Sequence, residues 1–153
     1  MGYVEDLRAI IGHRPVILVG ATVIIEDDVG RILMQKRTEP YGVWGLPGGL
    51  MELEESTEQA ARREVYEETG LTIGKLELLD VFSGKDFYIK VSNGDEFFVV
   101  AVAYITREAT GEAKVNDDES LEVDYFQLDE LPDNIVHTHQ LILERYRTGL
   151  KSG

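Results

Sequence analysis

Apolar residues at Val4, Leu7, Ile10 and Ile11 recur at helical spacing and predict a short N-terminal helix over about residues 4–12. From 15 to 26 the chain becomes β-branched and almost wholly apolar, which suits a strand buried on both faces. Residues 27–30 read as a turn and 31–37 as a second strand, so the two strands are expected to form a hairpin. Residues 38–49 are dense in Gly and Pro and read as loop, with at most a brief strand at 43–46.

Helix signals then converge. Ser56 followed by Gln59 matches a capping box, residues 57–69 are good helix formers, and Gly70 stands where a left-handed C-cap is expected. Apolar runs at 75–84, 86–91 and 96–108 predict strands, with Asn93-Gly94 signalling a type I′ hairpin turn. Residues 121–128 alternate as a last strand. Pro132 heads a closing helix at about 133–147, with Ile135, Leu141, Ile142 and Tyr146 as candidate core positions. Helices interspersed with mostly antiparallel strands predict an α/β (α+β) layered sandwich. No glycine-rich turn follows the first strand, which argues against a doubly wound dinucleotide fold. There is no internal repeat or linker, and one domain over 1–153 is the economical expectation.

Composition narrows the function. The chain is 43% hydrophobic and 29% charged, as a folded protein should be. Without cysteine there is no disulfide framework, thiolate nucleophile or cysteine metal site. No apolar run approaches a membrane span and no secretion signal is seen, so a cytoplasmic protein is expected. The net charge of −14 repels phosphate backbones and disfavours a nucleic acid polymer as partner. A small phosphorylated substrate stays open, provided placed Arg or Lys side chains or a bound cation mediate the contact.

That condition bears on the helix at 57–69. Glu64, Glu67 and Glu68 fall within an arc of about 100°. Like charges at these spacings cost a few tenths of a kcal/mol per pair, and the last turn of a helix disfavours anions. A solvated acidic face is the ordinary explanation of such pairs. Here a flexible Leu-Pro-Gly-Gly segment (46–49) lets backbone approach the carboxylates, and Arg63 stands eight residues after Glu55, able to pair with it. Clustered oxygen ligands without His or Cys suit Mg²⁺ or Mn²⁺. A divalent ion would cancel the repulsion and bridge the cluster to a polyphosphate.

Gly49, Glu55, Arg63, Glu64, Val65, Glu67, Glu68, Gly70 and Leu71 fill every specified position of a Gly-x5-Glu-x7-Arg-Glu-U-x-Glu-Glu-x-Gly-U pattern, where U is bulky and aliphatic. The stretch resembles the Nudix box. The resemblance implies a Nudix-type α/β/α sandwich with a mixed, largely antiparallel sheet. It also implies Mg²⁺- or Mn²⁺-dependent hydrolysis of a nucleoside diphosphate linked to another moiety X. Glu64, Glu67 and Glu68 would then be metal ligands, the Gly48 carbonyl a possible backbone ligand, and Gly49, Glu55, Arg63 and Gly70 structural. The ion would neutralise phosphate oxygens and lower the pKa of the attacking water, and a carboxylate would accept its proton. The base is open between Glu64 and the acidic loop at 116–123, where Glu119 is the first candidate and Asp118 the second.

Arg37, beside the glycine loop, is a candidate phosphate grip as well as an ordinary surface arginine. Trp44 and Tyr41 are candidates to stack on a base or sugar, although packing under the 46–49 turn suits Trp44 better. Phe82, Phe87 and Tyr88 flank a connection and fit either pocket or core. His137 and His139 do not share a helix face, so joint metal binding by them is not expected. A non-catalytic nucleotide-sensing module is the alternative function; the full set of box carboxylates favours the enzyme. The pattern does not define X, the number of ions, or whether the protein is a monomer or homodimer.

Overall fold

The computed structural model describes residues 2–152; residues 1 and 153, the outermost positions of the expected domain, lie outside the described residues. In chain order the elements are α1 (Tyr3–Ile11), β1 (Val16–Ile25), β2 (Ile32–Arg37), β3 (Trp44–Gly45), β4 (Gly48–Leu50) and α2 (Thr57–Thr69). They continue with β5 (Thr72–Ile73), β6 (Glu77–Phe82), β7 (Tyr88–Lys90), β8 (Glu96–Thr106), β9 (Ala109–Thr110), β10 (Ser120–Phe126) and α3 (His137–Ser152).

Strand β1 uses both of its edges. It pairs in parallel with β8 from Val16↔Phe97 to Ile25↔Thr106, and antiparallel with β4 from Gly20↔Leu50 to Thr22↔Gly48. On the far side of β8 lie β6 and β7, both antiparallel. A second sheet runs β10-β2-β3, and β5 pairs with β9. The mixed, largely antiparallel arrangement expected from the sequence is therefore present.

Successive side chains of a strand point to opposite faces, and β1 builds a core on each. Ala21, Val23 and Ile25 pack with Ala60, Ala61 and Val65 of α2, while Leu18 and Ile24 pack with Ile142, Leu143 and Tyr146 of α3. Ile142 and Tyr146 are buried, and Ile135 and Leu141 pack more loosely against the same cluster. Helix α1 buries no residue fully; Tyr3, Val4 and Leu7 lean on the α3-side core, and the Tyr3 N–H donates to Glu52 Oε1 at 2.9 Å. No described helix is long and apolar enough to cross a membrane.

Helix α2 spans the residues its local signals specify. Ser56 Oγ accepts from the Gln59 N–H at 3.0 Å, and Gln59 Oε1 accepts from the Ser56 N–H at 2.8 Å. Gly70 ends the helix in the left-handed conformation, φ 77° and ψ 1°.

Five sequence expectations need correction. The segments at 15–26 and 31–37 do not form a hairpin: among the described residues their backbones pair through one bridge, Glu26↔Ile32, and they enter different sheets because β4 and β8 occupy both edges of β1. Burial of β1 on both faces holds only for its second half, since Ile17 is 72% exposed. The stretch read as loop up to 49 contributes β4, whose pairing to β1 compensates for its glycines. The turn after β7 is not type I′, which needs positive φ at both central residues. Asn93 has negative φ and Gly94 φ 98°, with the Gly94 N–H donating to the Val91 carbonyl, as in a type I turn followed by a glycine bulge. The last helix begins at His137 rather than 133, because residues 134–136 pair with Trp44. The Trp44 N–H donates to the Asn134 carbonyl at 2.8 Å, and the Val136 N–H to the Trp44 carbonyl at 2.9 Å.

The capping box gives a direct test of how far α2 depends on its own sequence. Ser56→Ala is expected to lower unfolding free energy by about 1 kcal/mol, read as a lower urea midpoint with an unchanged m-value. A loss below a few tenths would show that tertiary contacts alone set the helix start.

Candidate active site

Strand β4 crosses α2 where the glutamates emerge. Gly48 has φ 148°, and a Cβ there would lie 2.1 Å from the Ala21 carbonyl oxygen, so only glycine fits between β1 and the helix. Its N–H donates to Glu68 Oε1 at 2.9 Å. A Cβ on Gly49 would lie 2.5 Å from the Glu64 carboxyl carbon. Two adjacent glycines thus admit two carboxylates against bare backbone.

Arg63 ties this arrangement to the loop before the helix. Its Nε and Nη2 donate to the two Glu55 oxygens at 2.5 and 2.9 Å, and Nη1 donates to Glu64 Oε1 at 2.7 Å. Nη2 also reaches the Leu50 carbonyl at 3.2 Å. The bidentate pair holds the Glu55 carboxyl below its ordinary range. Glu67 receives a weaker contact from Arg63 at 3.3 Å and is 53% exposed, so of the three box glutamates it faces outward.

The acidic loop is brought over the end of α2. The Asn116 N–H donates to the Glu68 carbonyl at 3.2 Å, and Asn116 Nδ2 to the Tyr66 carbonyl at 3.0 Å. As a result Glu68, Asp117 and Glu119 offer carboxylate oxygens that all lie within 4.8 Å of one another. Asp117 had no sequence signal to separate it from Asp118; the Asn116 contacts set which of the two turns inward. Beneath them, buried Gln35 donates its amide to Glu68 and accepts from Ser120 Oγ at 3.2 Å.

Burial raises the Glu68 carboxyl to about 8, with Glu64 adding to the shift and the Gly48 N–H opposing it. Burial also raises Glu64, against the pull of Arg63. Glu119 is raised by desolvation at the cleft wall and then by Asp117 and Asp118. Such acids resist ionising together, and a divalent cation is the counter-charge that would relieve them. The donor set is oxygen only, which fits Mg²⁺ or Mn²⁺.

A cleft of about 550 Å³ opens beside the carboxylates. Glu64, Glu68 and Glu119 line it together with Arg37, Gly48 and Gly49, and Leu18, Val99 and Ala101 contribute an apolar floor. The Arg37 guanidinium makes no hydrogen bond or ion pair among the described residues, although Glu68 and Glu119 are close enough to oppose its desolvation. Trp44 does not line the cleft; it packs edge-on against Phe126, ring centroids 5.0 Å apart. Phe82 stacks on buried Phe87, Tyr88 lies against Phe98, and Tyr41 is 79% exposed. The two histidines separate: His137 is exposed, whereas His139 lines the cleft and accepts the Leu46 N–H at Nδ1, 2.9 Å away. Sequence reasoning missed His139, because the approach of residues 44–46 to α3 leaves no local signal.

The sequence model of the NUDIX domain matches residues 16–146. A Methanocaldococcus jannaschii protein described as ADP-ribose pyrophosphatase is 34% identical over 124 residues, covering 80% of this chain and 69% of its own. Matches to further curated relatives span smaller shares, 39% and 22% for two of them. Among solved structures, a MutT NUDIX hydrolase from Burkholderia pseudomallei aligns with a TM-score of 0.72 at 34% identity, over 84% of this chain and 97% of that one. The NUDIX domain of Shewanella oneidensis NrtR, solved with ADP ribose, aligns at 0.68 over 98% and 99% of the two chains; at 21% identity it shows the fold alone.

The raised Glu68 pKa has a stability consequence. A carboxyl whose folded pKa exceeds its unfolded one favours folding fully below the unfolded value, near 4.5, and that contribution is lost as pH rises to about 8. The metal-free protein is therefore expected to lose thermal stability across pH 4.5–8, and Glu68→Gln to flatten this dependence. Mg²⁺ should restore stability most at the alkaline end, where no proton has to be displaced. Melting curves with and without Mg²⁺ read all three; a wild-type slope unchanged in Glu68→Gln would assign the pH dependence elsewhere.

Proposed function

The chain belongs to the Nudix family, and we propose that it hydrolyses a nucleoside diphosphate linked to a further group X, with ADP-ribose as the first substrate to try. The observation that carries this reading is the convergence of Glu64, Glu68 and Glu119 on one open cleft that also holds Arg37, whose guanidinium makes no hydrogen bond or ion pair among the described residues. Acidic side chains alone would repel a diphosphate; with a divalent ion among them and Arg37 beside them, they suit one. ADP-ribose comes first because the relative from M. jannaschii is described as acting on it.

In this reading Glu64, Glu67 and Glu68 hold Mg²⁺ or Mn²⁺, with the Gly48 carbonyl and Asp117 as further oxygen donors. Bound there, the ion would neutralise phosphate oxygens and acidify the attacking water. Arg37 grips a phosphate oxygen, and Gly48 and Gln35 keep the Glu68 carboxyl oriented through their N–H groups. Glu119 takes the proton from the attacking water. Glu64 is less suited to that step because Arg63 already donates to it at 2.7 Å, which weakens its basicity, whereas the Glu119 carboxylate accepts from no side chain among the described residues; Thr38 Oγ1 donates only to the Glu119 backbone carbonyl. Burial raises both carboxyls, which makes either a better proton acceptor near neutral pH than an ordinary one, so it is the Arg63 contact that separates them. Glu55, Arg63, Gly49 and Gly70 act on structure: they fix the loop, the helix and the carboxylate positions.

The test is product analysis with ADP-ribose, nucleoside triphosphates, 8-oxo-dGTP, nucleotide sugars and dinucleoside polyphosphates, in Mg²⁺ and then Mn²⁺. One substrate is expected to be cleaved to a nucleoside monophosphate far faster than the rest, and Glu68→Gln to abolish most turnover. No cleavage by the folded protein in either metal would replace the enzyme reading with that of a nucleotide-sensing module. Glu119→Gln should lower kcat about 10²-fold or more with little change in KM; a negligible effect would move the base to Glu64.

A further inference from the structure

His139 stands in the cleft with its protonation pattern set by backbone. Its Nδ1 accepts the Leu46 N–H at 2.9 Å, so Nδ1 carries no proton and the ring hydrogen sits on Nε2. Nε2 has no hydrogen-bond partner among the described residues, and half-buried His139 lines the cleft. Arg37 lies next to it. A Cβ on Gly45 would approach Arg37 Nε to 2.8 Å and His139 Nδ1 to 3.0 Å, so both side chains lie against the same bare α-carbon. Desolvation of the ring, and then the Arg37 charge, hold the imidazole well below its ordinary pKa. The cleft thus contains a neutral N–H donor beside a guanidinium that makes no hydrogen bond or ion pair among the described residues.

The pair is made of donors alone. Its single acceptor, Nδ1, is consumed by Leu46. Nucleobase edges and ribose hydroxyls mix donors with acceptors, whereas the oxygens of an ionised phosphate only accept. Arg37 also feels the charges of Glu68 and Glu119, so the pair stands at the carboxylate end of the cleft. We propose that His139, through Nε2–H, binds a phosphate oxygen of the substrate jointly with Arg37 and so positions the diphosphate against the carboxylates. A neutral imidazole suits this place, because a second cation beside Arg37 would be repelled by it. The proposal rests on the hydrolase reading and adds a diphosphate-binding residue to it.

Two measurements test it. In ¹⁵N-histidine-labelled protein with Mg²⁺, His139 is expected in the Nε2–H tautomer at neutral pH. Its Nε2 resonance should shift on adding inorganic pyrophosphate and stay in place with adenosine. The Nδ1–H tautomer, or a resonance that moves with adenosine and not with pyrophosphate, would overturn the proposal. In kinetics, His139→Asn keeps an acceptor for Leu46 and removes the donor; it should raise KM about ten-fold, the worth of one hydrogen bond to a charged group, with kcat nearly unchanged. His139→Gln, whose amide can reach the Nε2 position, should recover part of that loss. Equal KM in wild type and His139→Asn would also overturn the proposal. An inactive wild-type protein would sink the hydrolase reading alone, since the resonance shift is read without turnover.

Discussion

The passage of a side-chain-free backbone between β1 and α2 is the constraint on which the site depends. A methyl group at Gly48 would collide with the Ala21 carbonyl, and one at Gly49 with the Glu64 carboxylate. Because neither exists, β4 pairs with β1 and still lies close enough to α2 for the Gly48 N–H to reach Glu68. The same closeness lets Arg63 span from α2 to Glu55 and the Leu50 carbonyl. Loop, strand and helix are fixed to one another through groups that all border the carboxylates.

The electrostatic cost of this geometry is not recovered within the chain. Exposed ion pairs contribute about 0–1 kcal/mol, whereas desolvating a carboxylate costs several. Arg63 offsets Glu64 and Glu55, but Glu68 has only N–H and amide donors and the charge of an Arg37 that forms no ion pair with it, and it sits in the last turn, where the helix dipole opposes it. The acidic loop at 116–119 worsens the imbalance rather than relieving it. A fold selected for stability alone would not assemble these groups. Their proximity makes sense if a cation and a polyphosphate complete the charge balance together.

What was legible in the sequence is what is local. The bounds of α2 follow from Ser56, Gln59 and Gly70, each acting within a few residues, and the glutamate spacing follows once the helix is known. The strand character of β1, β2 and β8 was visible, but partner choice was not. The turn at 27–30 suggested a hairpin, and only the long apolar match between β1 and β8, far apart in the chain, shows why β2 goes elsewhere. Likewise Pro132 marks a plausible helix start, yet the pairing of 134–136 with Trp44 holds those residues extended. His139 owes its role to that same long-range contact, as Asp117 owes its place to Asn116 reaching α2.

The position of the cleft follows from where β1 gives up side-chain volume. Leu18 and Ile24 belong to the α3-side core, but between them on the same face stand Gly20 and Thr22, which line the cleft instead of filling it. Opposite them across the strand edge are Leu50 and Gly48, and Ala21 faces Gly49. The sheet is thus firmly packed above and below and thinned in the middle, where small residues on β1 meet glycines on β4. Several polar side chains of the wall come from the ends of elements: the last residue of β2, the start of β10 and the first turn of α3. Element ends carry polar side chains without burying them in a core, so charge gathers at the thinned zone while the apolar layers on either side keep it rigid. The cleft and the two cores are therefore consequences of one pattern along β1, large residues at its ends and small ones at its centre.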